Sequence, residues 1–193
     1  LGSDDHIPPP PAFRFTQVPE THRHVNKTVQ ECNWLQGLEG GLDTSHAPIL
    51  HRRLTSDTKQ PGVDLSSFFA QASAPRLQVD STDYGYRYFG IRSIDAGRTY
   101  VRAYHFVMPF TQIRPGADFG GGQKLVAGHM WVPMDDETTM VYNWEYSEGD
   151  PMADPEAVAR ELGTGPEELD SQYRKKRNAR NDYMIDRTIQ KEE

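Results

Sequence analysis

The chain has 193 residues, of which 36% are hydrophobic and 10% aromatic, enough for one domain with a buried core and too much for a disordered chain. A formal net charge of -7 excludes a broad non-specific nucleic-acid face. A single cysteine, Cys32, excludes an internal disulfide and any cysteine-ligated iron–sulfur cluster held by this chain alone, and no run approaches the roughly 18 apolar residues of a membrane helix. Mean hydropathy is low at -0.75, and 14 prolines with 16 glycines point to long loops or to surface that belongs against partners. Neither a nucleic-acid nor a membrane partner is expected. The N-terminus lacks the character of a secretion signal, and a cytoplasmic location is expected.

In chain order, residues 1–20 read as an extended arm: Pro8 to Pro11 favours polyproline II, and Phe13, Phe15 and Val18 can pin it. His22 to Gln30 reads as a short strand. A helix is predicted from Cys32 or Asn33 to about His46, weakened by Gly40 and Gly41 unless these admit a close neighbour. Residues 52–75 read as a polar loop. Strands are predicted around Leu77 and Val79, through Tyr84, Tyr86 and Tyr88, from Tyr100 to Phe106, and as a hairpin of Lys124 to Val132 with Thr139 to Tyr146, turning at Asp135-Asp136-Glu137. Gly116 to Gly122 reads as a flexible loop without phosphate-loop spacing. A short helix is predicted from Asp154 to Leu162, with Asp154 as N-cap, Pro155 first and Gly163 as stop. A second is predicted from about Pro166 to Ile189. It would carry a basic face of Arg174, Lys175, Lys176, Arg177 and Arg180, read as solvated or as a docking patch for a reductase or another subunit.

The chemistry concentrates in residues 31–51. On a helix each residue turns about 100°, so Glu39, Asp43 and His46 fall along one stripe, beside an apolar stripe of Leu35, Leu38 and Leu42. His51 would point roughly 140° from His46 on an unbroken helix; Pro48 gives a physical reason for a break that turns it back. Two imidazoles and one carboxylate suit Fe(II) with positions open for oxygen, and Asp43 can alternatively hold the non-ligating nitrogen of His46. Ordinary structural histidines near a helix end fit the same pattern. Zinc hydrolysis has no His-Glu-x-x-His helix or cysteine pair to support it.

Asn33-Trp34-Leu35-Gln36, Glu39-Gly40, Asp43-Thr44-Ser45-His46 and Leu50-His51 closely resemble the iron-site segment of Rieske non-haem iron aromatic-ring-hydroxylating oxygenases, phthalate-dioxygenase-like branch. Trp131 to Thr139, Asn181-Asp182-Tyr183 and Ile185-Asp186-Arg187 extend the likeness. The resemblance implies an α+β fold, a helix-grip catalytic domain with a curved antiparallel sheet covered by helices. Residues 21–193 would be a partial catalytic domain. His46 and His51 would ligate mononuclear Fe(II), and Asp43 would couple it, through His46, to a Rieske 2Fe-2S cluster on a neighbouring subunit of a homotrimer. Electrons would come from NAD(P)H through a reductase or ferredoxin, and dioxygen-derived oxygen would enter an aromatic small molecule, by branch resemblance a carboxylated one. The Cys-x-His and Cys-x-x-His pairs of the Rieske domain are absent from this sequence, and the third ligand, a late carboxylate, is expected beyond Glu193 rather than at Asp182 or Asp186.

Against this stands a noncatalytic, aromatic-ligand-binding fragment of the same fold. Elsewhere, Asp135 and Asp136 suit a turn better than acid–base chemistry. Tyr84, Tyr86 and Tyr88 could line a pocket or simply pack. His105 and His129 read as core or surface histidines, Cys32 as a small apolar residue and Trp34 as packing.

Overall fold

Alternation of side chains along each segment decides most of the architecture. The computed structural model describes residues 3–7, 9, 11–46, 50, 74–95, 97–115, 125–152, 154–161 and 163–188. Its strands are β1 (Arg23–Gln30), β2 (Arg76–Thr82), β3 (Gly85–Asp95), β4 (Arg98–Val107), β5 (Thr111–Pro115), β6 (Leu125–Pro133) and β7 (Thr139–Ser147). They form one seven-stranded sheet in the order β1-β7-β6-β5-β4-β3-β2, every neighbour antiparallel. Among the described residues the helices are α1 (Trp34–Leu42), α2 (Pro155–Glu161) and short 3-10 turns. The fold is α+β and dominated by its sheet. No helix among the described residues is long and apolar enough to cross a membrane.

The chain leaves the sheet at one edge, β1, and re-enters at the other, β2, with α1 as the first part of the crossing. The apolar side of α1 meets one sheet face: Leu38 is buried with Phe106, Trp131 and Val141, and Trp34, Leu42 and Tyr86 pack around them. Glycines make this contact close. A Cβ on Gly41 would lie 2.2 Å from Trp131 and one on Gly37 2.8 Å, while Gly40 has nothing within 4 Å. The close approach predicted for the Gly40-Gly41 pair therefore belongs to Gly41 alone, joined by Gly37 one turn earlier.

The opposite face is covered by the N-terminal arm. Phe15 stacks on Trp144 at 4.6 Å, and Val18 is buried with Trp144 and Tyr146 over Ile113, Val126 and Met130. The arm is not continuously extended: it turns at Asp4–His6, Arg14–Thr16 and Glu20–His22. Arg23 donates to the carbonyls of Phe15 and Thr16, fastening the arm to the start of β1.

The β6–β7 hairpin forms as its alternation predicts. Its tip is shaped by Asp135, whose carboxylate accepts from the amides of Glu137 and Thr138. Tyr84 lies in the turn before β3 rather than in the strand, and Leu77 and Val79, though in β2, are exposed. The loops read at 52–75 and 116–122 fall, but for 74 and 75, outside the described residues. α2 begins at Pro155 with Asp154 accepting from the amide of Glu156, as expected of that cap.

The long C-terminal helix predicted from Pro166 does not form. The Asp170 carboxylate accepts from the amides of Gln172 and Arg174, and Asn178 binds local backbone, so polar side chains compete with helical hydrogen bonding. Tyr173, Asp182, Tyr183 and Met184 take positive φ. The basic residues turn inward on their own chain. Arg174 and Arg180 converge on Glu31, Arg177 reaches Glu168, and Lys175 and Lys176 donate to the carbonyls of Gly163 and Pro166. The Val29 amide donates to the Tyr173 carbonyl at 2.8 Å, which lays this segment along the free edge of β1.

Candidate functional site

The site starts from Asn33. Its side chain accepts from the Leu35 amide at 3.0 Å and donates to the Asp136 carbonyl at 3.0 Å, so one residue caps α1 and ties it to the β6–β7 hairpin tip. Thr139 adds a bond to the Cys32 carbonyl. With its first turn fixed and Gly37 and Gly41 lying on Trp131, α1 delivers its end over the sheet.

The helix ends at Leu42, not at His46. Asp43 is extended (φ -61°, ψ 127°), its amide making the final helical bond to Glu39. Asp43 and His46 are therefore not stacked on a helical stripe, yet they meet. The Asp43 carboxylate accepts from the Ser45 amide at 2.8 Å, from the His46 amide at 3.0 Å and lies 2.9 Å from His46 Nδ1. These donors, the Ser45 amide first, hold the carboxyl below its ordinary value against a smaller opposing effect of burial. An ionised carboxylate on Nδ1 favours the tautomer with its proton there and leaves ligation by His46 to Nε2. That donor set fits a transition-metal imidazole ligand with its outer carboxylate.

His51 lies outside the described residues. Among the described residues no three histidine, cysteine, aspartate or glutamate side chains come together as a metal-holding group. Asp182 and Asp186 belong to the exposed C-terminal segment, and Asp182 sits within 3.9 Å of Arg187.

The sheet face beneath α1 carries polar chemistry that the sequence did not disclose. Strand register places Asn26, Asn143, His129, Gln112, Arg114, Arg102, Tyr104, Tyr88 and Arg92 on that one face. Arg114 donates to His129 Nε2 at 3.4 Å, His129 Nδ1 bonds Asn143 Oδ1 at 2.7 Å, and Asn143 Nδ2 donates to Asn26 Oδ1 at 2.8 Å. This direction of donation fits a neutral His129 protonated on Nδ1. Burial, then the Arg114 charge, push its pKa down to about 4, against the opposing bond from Asn143. Tyr88 and Tyr104 stack at 4.5 Å, and burial raises both phenols. A groove of about 580 Å³ opens between α1 and this face, lined by Gln36, Gly40, His129 and Asn143 among others. Of these groups, the sequence pointed only to His129 and Tyr88. Gln112, Arg114 and Asn143 sit in strands whose pattern gives no sign of which polar residues turn inward.

The sequence matches the LigXa C-terminal domain-like family over residues 1–193. It is 32% identical to the phthalate 4,5-dioxygenase oxygenase subunit of Pseudomonas putida, covering 99% of this chain and 44% of that protein. It is 30% identical to the 3-chlorobenzoate-3,4-dioxygenase oxygenase subunit of Comamonas testosteroni, covering 99% of this chain and 46% of that protein. The chain thus spans less than half the length of these relatives. The solved structure of Pseudomonas putida CBB5 NdmB aligns over 74% of this chain and 39% of its own with a TM-score of 0.48 and 18% identity. The chain belongs to the LigXa C-terminal domain-like family, and its resemblance to the catalytic domain of phthalate-dioxygenase-like Rieske oxygenases holds across its length.

Proposed function

We propose that the chain is part of the catalytic domain of an oxygenase, with residues 1–20 as an arm and residues 21–193 building the domain. In it, His46 through Nε2 and His51 hold a mononuclear Fe(II). Bound there, the iron supplies the dioxygen activation that amino acid side chains cannot. Asp43 keeps the His46 ring oriented and its Nδ1 protonated, and forms the outer link toward a Rieske 2Fe-2S cluster carried by a neighbouring subunit of a homotrimer. The cluster would take its electrons from NAD(P)H through a reductase or ferredoxin, and the location in this reading is cytoplasmic. The observation that carries the reading is the 2.9 Å contact between Asp43 Oδ2 and His46 Nδ1 at the end of α1.

The substrate in this reading is an aromatic carboxylate. The two relatives named for phthalate and 3-chlorobenzoate support it, as does the face beneath α1. Beneath α1 the buried Tyr88 and Tyr104 stack, and the partly buried Arg114 and Arg102 supply positive charge. Anaerobic Fe(II) titration of the full-length protein tests the ligands. His46→Ala and His51→Ala should each abolish stoichiometric binding, and tight binding equal to wild type in both would overturn the assignment.

A further inference from the structure

Asp43 is itself well exposed, its side chain 43% accessible, so burial does not hold it in place. The main chain on either side of it is held. Gln112 on β5, fully buried, donates from Nε2 to the Gly41 carbonyl at 2.8 Å and lies 2.6 Å from the Tyr88 hydroxyl. Arg92 on β3, 2% exposed, donates from Nη2 to the Thr44 carbonyl at 2.5 Å and reaches the Thr44 hydroxyl at 3.3 Å. Thr44 is buried, at 4% exposure, over Gly90, where an added Cβ would stand 3.2 Å from its hydroxyl oxygen. Only Leu42 and Asp43 separate the two gripped carbonyls.

The last carbonyls of a helix have no partner within it, and a loop that leaves the helix is free to swing unless something else takes them. Here two sheet side chains, sealed from water, take one carbonyl before Asp43 and one after it. We infer that Arg92 and Gln112 are positioning residues that clamp the Asp43 turn and fix the Asp43–His46 edge at which iron would be held. The inference rests on the iron-site reading above, and it asks nothing of either side chain beyond a donated hydrogen bond in a dry place. Each acts through the backbone that carries the Asp43–His46 pair.

The test uses the full-length protein with Arg92→Met and Gln112→Met, unbranched side chains that remove the donors, and Arg92→Lys, which keeps a charged donor. Hydrogen exchange of the metal-free proteins, followed by mass spectrometry, reads the Ser45 and His46 amides directly. Both methionine variants should speed their exchange by about tenfold or more while β6 and β7 stay protected, with Arg92→Lys in between. Anaerobic Fe(II) affinity should fall by about tenfold in the methionine variants. Unchanged exchange at Ser45 and His46 overturns the clamp, and so does exchange that rises equally across the whole sheet, since that is loss of stability. Faster local exchange with unchanged Fe(II) affinity overturns its bearing on the metal edge. If His46→Ala binds Fe(II) as wild type does, the iron reading fails, and the exchange data still decide whether the turn is clamped.

Discussion

At the scale of single residues, Asp43 and His129 show how environment assigns roles to common side chains. Asp43 offers one carboxylate to two amides and one ring, so its removal should loosen the ring without removing a ligand. Asp43→Ala in the complete enzyme is expected to retain much of its iron, bound about tenfold more weakly, while electron transfer from the reduced cluster slows by at least about tenfold, read by stopped-flow absorbance. Transfer at the wild-type rate would exclude the bridge. His129 is neutral in the fold because burial and Arg114 lower its pKa to about 4 from 6.5. The unfolded chain therefore binds the extra proton first as pH falls. Stability owed to this group is complete above about pH 6.5 and is lost progressively toward pH 4, by up to roughly 3 kcal/mol. His24, also lowered by burial, adds a slope of the same sign, so the difference between wild type and His129→Gln in urea unfolding across that range isolates His129. Equal slopes would refute the assignment. His129 stood out in the sequence only as a histidine within a strand. Gln112 and Arg92 gave no signal, since their partners are backbone carbonyls 71 and 48 residues away, and a carbonyl has no identity in a sequence.

At the scale of elements, α1 was legible at its start and misread at its end. Asn33 before an apolar stripe is a cap that local chemistry decides. The end was decided by competition, in which the Asp43 carboxylate claimed the amides of Ser45 and His46 and stopped the helical pattern at Leu42. The same competition, at Asp170 and Asn178, undid the helix expected after Pro166. Asp43 and His46 meet in spite of the first error because a short turn brings i and i+3 together as a helix would. The two adjacent glycines of α1 offer a direct check on packing. Gly40 faces open space, so Gly40→Ala should stabilise the protein by about 0.5–1 kcal/mol through helix propensity. Gly41→Ala drives a methyl group into Trp131 and should destabilise it by about 1–3 kcal/mol, in spite of the same gain in propensity. Denaturant midpoints that move in the same direction for both would contradict the described docking of α1.

At the scale of the whole molecule, the strand order was less legible than the strands. Alternation marked the strands, but nothing local says that β1 pairs with the last strand, β7, and leaves α1 to begin a crossing from one edge of the sheet to the other. That connection is what sets a helix end above a polar sheet face. The other face depends on the arm. Phe15, half-buried against Trp144, is worth about 2 kcal/mol there, and Phe15→Ala should lower unfolding free energy by that amount without altering Fe(II) affinity. The bridge from Val29 to Tyr173 has a consequence for solubility. An open rim of a sheet is a template on which another molecule's strand can grow, and β1 would present such a template along its outer side. The irregular path of the chain around Tyr173, which cost the expected helix, lays a short stretch of backbone on that rim and surrounds it with the paired charges of Glu31, Arg174 and Arg180. Residues read from the sequence as a basic helix face thus cover part of an edge that would otherwise invite strand addition.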